Sequence, residues 1–363
     1  MSDDAAGVAT AEQGLQGSAT EVASFDEPRP GFIRQLQGFL HQFPTTIPFI
    51  VLLIGVLIFS IAAGSKFFAI LNLSLVLQQV TIIGVLGIAQ TLVILTAGID
   101  LSVGAIMILS SIVMGRLAVV AGVPPEASFL LGLLTGFVCG LINGVLVALV
   151  KLPPFIVTLG TWSMYGAMVI FVSRSETLRQ QDVAAVAPLL QWLGSSFKIR
   201  LPEGMGTAII TYGSILMILL AALIWYVLSR TAFGRHLFAT GDDPEAARLA
   251  GINTKGVLIA TYAIAGLICA IAGWVTIGRI GAVSPLAGQN ANLDAITAVV
   301  IGGTSLFGGR GSIVGTLIGA LIVGVFRNGL ALAGVDVLWQ EFAVGGLIIV
   351  AVTIDQWIRK ISA

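Results

Sequence analysis

Ser229-Arg230-Thr231-Ala232-Phe233-Gly234-Arg235, followed by Asp242-Asp243-Pro244-Glu245-Ala246-Ala247-Arg248-Leu249-Ala250-Gly251, forms a polar island between two long apolar runs, 211–229 and 257–277. Asp243 is a good N-cap, Pro244 fits the first helical position, and Glu245 complements the positive helix end. Gly251 suits a left-handed residue at the C-terminal end. These signals predict a helix of about two turns, too short to persist alone in water, so it needs a surface to pack on. A plain capped loop helix would carry the same signals, so the flanking sequence has to decide.

The flanks are membrane spans. The 363 residues are 57% hydrophobic and 10% charged, against about 25% charged in a soluble domain. Mean hydropathy is +1.02. The apolar runs have helix length and lack the ten-residue alternation of a barrel, which implies an all-α polytopic membrane protein. Net charge is zero, which gives no hint of nucleic acid. Cys139 and Cys269 lie inside apolar runs and read as small hydrophobes. His41 and His236 are isolated, so no metal site is expected.

Residues 1–43 are rich in Ala, Gly, Ser and Thr and carry six acidic residues, Asp3, Asp4, Glu12, Glu21, Asp26 and Glu27. The expectation is a disordered tail without a secretory signal. The spans read as 45–64, 76–97, 101–121, 128–150, 155–173, 211–229, 257–277, 292–305, 312–333 and 338–358. Arg29 and Arg34 before the first span place the N-terminus in the cytoplasm. Ten crossings return the 359–363 end, with Arg359 and Lys360, to the same side. The basic residues of the short loops agree, and loop 230–256 is then cytoplasmic while loop 174–210 lies outside.

Loop 174–210 divides the chain into five spans and five. An odd number per half implies two inverted halves. The fourth span carries Gly132, Gly136, Gly140 and Gly144, and the ninth carries Gly311, Gly315 and Gly319 at the same spacing. Such stripes let helix backbones approach closely in lipid. The third span opens at Asp100 and the eighth at Asp294.

Catalytic chemistry is missing from the pattern. Gly303 and Gly308 have phosphate-loop spacing, but Gly309 stands where Lys is required. Residues 302–312 read instead as a tight cytoplasmic turn, with Arg310 as an inside anchor or a partner contact. No acidic residue sits at mid-membrane, which argues against proton coupling and for an external energy source. Arg116 lies near the end of its span and is placed to snorkel. Arg327 lies inside a span and calls for a partner that the sequence does not name.

Glu245-Ala246-Ala247, three residues, then Gly251 resembles the EAA loop of ABC importer permeases. Thr231, Phe233-Gly234-Arg235, Ala239, Gly241 and Ala246 to Ile252 look like the version in ribose, xylose, arabinose and fructose permeases. Three further stretches resemble that family: Thr96 to Gly104, Pro154 to Thr161, and Val300 to Gly309. The resemblance runs from about Asn72 to the C-terminus and leaves the acidic tail outside it. It implies a monosaccharide importer in a bacterial inner membrane. Its partners would be a second permease copy, ATP-binding subunits that hold the ATP and Mg, and a periplasmic sugar-binding protein. No cofactor is expected on this chain.

In that setting Asp242, Asp243, Glu245, Ala246, Ala247, Arg248, Leu249 and Gly251 are the expected coupling helix that docks on the ATPase. A sugar path needs hydroxyl-matching groups, and Gln78, Gln90, Thr96, Asn143, Thr158, Thr161 and Trp162 are the candidates. Such side chains also bond routinely to backbone or to a neighbouring helix. Asp100 with Ser102 reads first as the N-cap of the third span and second as lining of the inner mouth. Loop 174–210 with Trp192, the 65–75 turn and segment 278–291 are docking surfaces for the binding protein or plain linkers. Competing functions are a branched-chain amino acid or sugar-derived-signal permease, an ion-gradient carrier, and a membrane enzyme, which lacks a catalytic constellation here.

Overall fold

Runs of apolar residues about 20 long satisfy their backbone polar groups internally, so in lipid they become helices. The computed structural model describes residues 46–200 and 206–359. The 1–43 tail, its arginines and Lys360 lie outside the described residues. The first half comprises α1 (Thr46–Ala63), α2 (Ile70–Leu95), α3 (Val103–Gly115, continued by a π-helical turn Arg116–Val120), α4 (Pro125–Ala148) and α5 (Pro154–Ser173). A linking region follows, with α6 (Gln180–Val186), α7 (Pro188–Gln191), β1 (Ser196–Arg200) and β2 (Thr207–Thr211). The second half comprises α8 (Tyr212–Arg230), α9 (Ala232–Asp242), α10 (Pro244–Leu249), α11 (Thr254–Ile280), α12 (Ala291–Ile301), α13 (Ile313–Leu332) and α14 (Val337–Arg359).

Among the described residues, eight helices are long and apolar enough to cross a membrane: α1 to α5, α8, α11 and α13. The chain is an all-α polytopic membrane protein. The expected eighth span, 292–305, forms only the 11-residue α12. At 1.5 Å per residue that is about 16 Å, roughly half the hydrocarbon thickness. Gly302 to Ser312 continues as irregular backbone, with Thr304 and Ser305 each 1% exposed.

α11 is the hub of the bundle and packs on α2, α3 and α4, while α2 packs in turn on α11, α12 and α13. The second and seventh spans thus exchange order-matched neighbours, the third with the fourth for the eighth with the ninth. The main core fills the space among α2, α3, α4 and α11, and includes Leu86, Ile88, Leu92, Ile106, Leu109, Ile112 and Tyr262. A second cluster, Phe59, Phe67, Val76, Val80 and Val323, joins α1, α2 and α13. Asn72 of α2 and Asn328 of α13 exchange side-chain hydrogen bonds of 3.1 and 2.9 Å across that seam.

The glycine stripe of α4 makes close backbone contact, chiefly with α11. A Cβ on Gly136 would lie 2.5 Å from the Gly266 carbonyl oxygen, and one on Gly140 would collide with that of Tyr262. Gly144 meets Ile259, whereas Gly132 meets Met114 and Ser110 of α3. Gly315 and Gly319 of α13 press on the carbonyls of Gly302 and Ala298. Gly311 does not belong to this stripe, because α13 starts at Ile313 and Gly311 lies in the preceding turn against Thr304.

Segment 174–210 is more than a linker. β1 and β2 pair antiparallel, Ser196 opposite Thr211, a small exception to the all-helical expectation. Trp192 stacks on Tyr212 with centroids 4.9 Å apart and on Trp274 at 6.1 Å. Trp274 Nε1 donates to the Leu189 carbonyl at 3.1 Å. These contacts tie the segment to α8 and α11. Arg116 meets Glu176 of the same segment at 2.8 Å, an ion pair at the position expected to snorkel.

Candidate coupling helix and polar cavity

The polar island folds as two helices. α9 was not expected; Thr231 caps it by accepting from the Gly234 amide at 3.3 Å. Its buried face is Gly234, Leu237, Thr240 and Gly241. Asp242 is the last residue of α9, and α10 begins at Pro244, the first helical position that the sequence predicts. Asp243 caps it as its sequence predicts, with Oδ1 accepting from the amides of Glu245 at 2.9 Å and Ala246 at 3.0 Å. Gly251 has φ +85°, the left-handed residue that ends the turn.

Within α10 the exposed residues are Pro244, Glu245, Ala246, Arg248 and Leu249, and Leu249 is 76% exposed. Ala247 faces the bundle and is 5% exposed, so it packs within the chain rather than presenting itself outward. Arg248 Nε donates to Glu245 Oε2 at 3.1 Å. That bond holds the Glu245 carboxyl below its ordinary pKa.

The base of α9 and α10 is seated on two buried turns. Gly241 abuts the Leu95 carbonyl oxygen, and the Gly309 amide donates to that same oxygen at 3.0 Å. Gly308 lies against Gly241 and Ala97. Gly303, Gly308 and Gly309 all have positive φ. This turn therefore serves as packing: the Gly309 amide, which a phosphate cradle would need free, is committed to Leu95.

Beneath these turns the expected sugar-path residues form a buried network. Asp100, 2% exposed, accepts at Oδ1 from the Ser102 amide at 2.7 Å and the Ser102 hydroxyl at 2.6 Å. Asp100 is thus an Asx turn ahead of α3; Ser102, not Asp100, occupies the N-cap position. Asn143 Nδ2 donates to Ser102 Oγ at 2.8 Å. With its amide oriented to satisfy both ends, Gln90 brackets the Asp100 backbone, donating to the carbonyl at 3.0 Å and accepting from the amide at 3.2 Å. Thr158 donates to the Ile99 carbonyl at 2.9 Å, Thr96 to that of Val93 at 2.8 Å, and Thr161 to that of Thr158 at 3.4 Å. Gln90, Thr96 and Thr158 thus brace the irregular backbone between α2 and α3, Thr161 bonds within α5, and Asn143 keeps a buried Oδ1 without a hydrogen bond. Trp162 is 43% exposed on α5, and Gln78 is half-buried on α2.

An open polar cavity lies elsewhere. It has a volume of about 450 Å³, and its polar lining is Gln79, Thr276, Arg279, Gln289, Asn290, Asp294, Arg327, Gln340 and Glu341. Arg327, the residue without a named partner in the sequence, is its centrepiece. Its guanidinium donates to Asp294 at 2.8 Å and to Glu341 at 2.8 and 3.3 Å, joining α12, α13 and α14. The first partner is 33 residues away in sequence and the second 14, so helix periodicity gave no signal for either. α11 separates the cavity from α10. It is 27 residues long, about 40 Å at 1.5 Å per residue; α10 adjoins its start and Thr276 and Arg279 lie at its end.

The described residues thus form a helical membrane bundle with a polar cavity toward one end and an exposed capped helix at the other, an architecture that suits a membrane transport component. The chain belongs to the family described as branched-chain amino acid transport system / permease component, which matches residues 72–352. It is 56% identical to the fructose import permease protein FrcC of Rhizobium meliloti, over 97% of this chain and 96% of the relative. It is 40% identical to the ribose import permease protein RbsC of Bacillus subtilis, over 87% of this chain and 93% of the relative. The Escherichia coli K12 protein of that name is 38% identical over 80% of this chain and 87% of the relative. No solved structure matches the chain.

Proposed function

We propose that this chain is the membrane-spanning subunit of an ATP-driven importer of a monosaccharide, a pentose or hexose such as ribose, xylose or fructose. The observation that carries the reading is the 56% identity to a fructose import permease along nearly the whole chain. The ATP and Mg are held by separate ATP-binding subunits, a soluble sugar-binding protein delivers the substrate, and two permease copies form the pathway. The chain itself carries out no chemistry. Its setting is a bacterial inner membrane, with both termini and loop 230–256 in the cytoplasm, loop 174–210 outside, and two inverted five-span halves. α10 is the contact with the ATPase, a role supported by its exposed Leu249 and by its seat on the turns at Leu95 and Gly309.

The test is uptake of a labelled panel of pentoses, hexoses and leucine in cells with and without the ATP-binding subunit. Sugar uptake that vanishes with that subunit is expected. Uptake that persists would make the protein an ion-driven carrier, and leucine uptake in place of sugar would select the amino acid alternative.

A further inference from the structure

The cavity around Arg327 combines two cations, Arg279 and Arg327, with two carboxylates, Asp294 and Glu341. Their formal charges cancel, so the cavity exerts little net pull on an ion. It still offers many hydrogen-bonding groups. Arg327 uses one oxygen of Asp294, and among the described residues no hydrogen bond reaches the other, Oδ2. Nor does any reach the side-chain amides of Gln79, Gln289 and Asn290, or the buried Nε of Arg327. Ile82, Ile83 and Met107 supply an apolar wall beside them. Gln289 and Asn290 are exposed at the cavity mouth, whereas Gln79 is half-buried and the Arg327 Nε is buried; a buried or half-buried polar group without a partner costs free energy unless a ligand or water satisfies it.

We propose that this cavity is the site where the permease itself holds its substrate, an uncharged polyhydroxylated molecule of monosaccharide size. Donors and acceptors spread over several helices match a ring of hydroxyls, each of which both donates and accepts. The apolar wall takes the C–H face. Arg327 acts as the positioning residue, because it pins the carboxylates of α12 and α14 in one arrangement and leaves Asp294 Oδ2 as an acceptor. Volumes of about 300 to 1,000 Å³ are ordinary for small-molecule sites. The site lies at the end of α11 remote from α10, so the ligand is held far from where the ATPase acts. The proposal rests on the sugar reading above and adds which residues of this chain meet the sugar.

Gln79 and Asn290 are the residues to change, since neither supports the fold through a side-chain hydrogen bond. With the partner subunits present, maximal uptake of D-fructose and D-ribose is compared for the wild type, Gln79→Ala and Asn290→Ala at equal membrane abundance. The expected result is a loss of about tenfold for at least one sugar, or an equal shift in the fructose-to-ribose ratio, the size of one lost hydrogen bond. A second readout needs no transport. Cys139 and Cys269 are buried, so in Asn290→Cys a charged thiol reagent labels the new thiol, and D-fructose or D-ribose is expected to slow labelling severalfold. Wild-type rates and ratios in both alanine variants, with no protection by either sugar, would overturn the cavity assignment and leave the sugar reading standing. A wild-type protein that imports neither sugar would sink the reading itself and the cavity assignment with it. If the alanine variants are not inserted, the labelling result decides.

Discussion

Gly241 of α9 lies directly against the carbonyl oxygen of Leu95, which also accepts the Gly309 amide. A single backbone oxygen thus joins the end of α2, the base of the exposed helices and the turn before α13. Glycine leaves no side chain to cushion that contact, so a displacement of α9 would press directly on the end of α2. Gly241→Ala forces the two backbones apart, and overpacking of this kind costs about 1–3 kcal/mol. The expected outcome is membrane insertion near normal, with uptake reduced about tenfold or more and ATP hydrolysis retained. Wild-type uptake would show that the contact transmits nothing.

Asp243 caps α10 with two amide bonds. Asp243→Ala removes both and costs about 1 kcal/mol of helix stability. In a six-residue helix that suffices to fray it. Co-purification of the ATP-binding subunit should fall, while Asp243→Ser, which keeps an acceptor, should restore it.

Gly136 and Gly140 meet the backbone of α11 at Gly266 and Tyr262, whereas Gly160 and Gly166 of α5 have open space where a Cβ would go. Gly140→Leu or Gly266→Leu should therefore abolish detergent-stable protein on size-exclusion chromatography. Gly160→Ala should leave the elution profile and yield unchanged.

Arg327 forms ion pairs with both Asp294 and Glu341, whose side chains are 14% and 37% exposed. Arg327→Met takes from both carboxylates the guanidinium that joins them; removing one partner of a fully buried pair costs about 3–5 kcal/mol, and less is expected here because Glu341 is 37% exposed and Arg279 lines the same cavity. Thermal denaturation in detergent should shift down strongly. Adding Asp294→Asn to that variant should recover part of the loss, and failure to recover any would mean that Arg327 acts through its packing alone.

The Glu245 carboxyl titrates below its ordinary value of 4.5 because Arg248 bonds to it. Its lowered folded-state pKa means that the ion pair contributes fully above 4.5 and is lost as pH falls through the lowered value. Association of the ATP-binding subunit should accordingly be flat from neutral pH down to that range, and Glu245→Gln should not change the profile above it. A decline beginning near neutral pH would assign the dependence to another group.

Local physics made much of the chain legible from residue types alone. Apolar length marked the spans, Asp243 and Gly251 announced the ends of α10, and the spacing of Gly132 to Gly144 announced a close helix contact. Each is a pattern within one continuous stretch of chain. α9 was missed because its buried face, Leu237, Thr240 and Gly241, is too short and mixed to read as a helix. Gln90, Asp100, Asn143 and Thr158 were recognised as polar candidates, but the sequence did not show that Gln90 brackets Asp100 or that Asn143 meets Ser102. Hydrogen-bonding capacity shows in a sequence, whereas the partner that consumes it does not.

The chain's order of residues settled that this is a helical membrane protein with an exposed capped helix, because hydrophobic length and capping are local properties. The three-dimensional packing settled which glycines touch, that Ala247 faces inward, and that Arg327 joins Asp294 to Glu341 around a polar cavity. Those pairings depend on helices α12, α13 and α14 meeting in space, and side-chain contacts between separate helices leave no periodic trace along the chain.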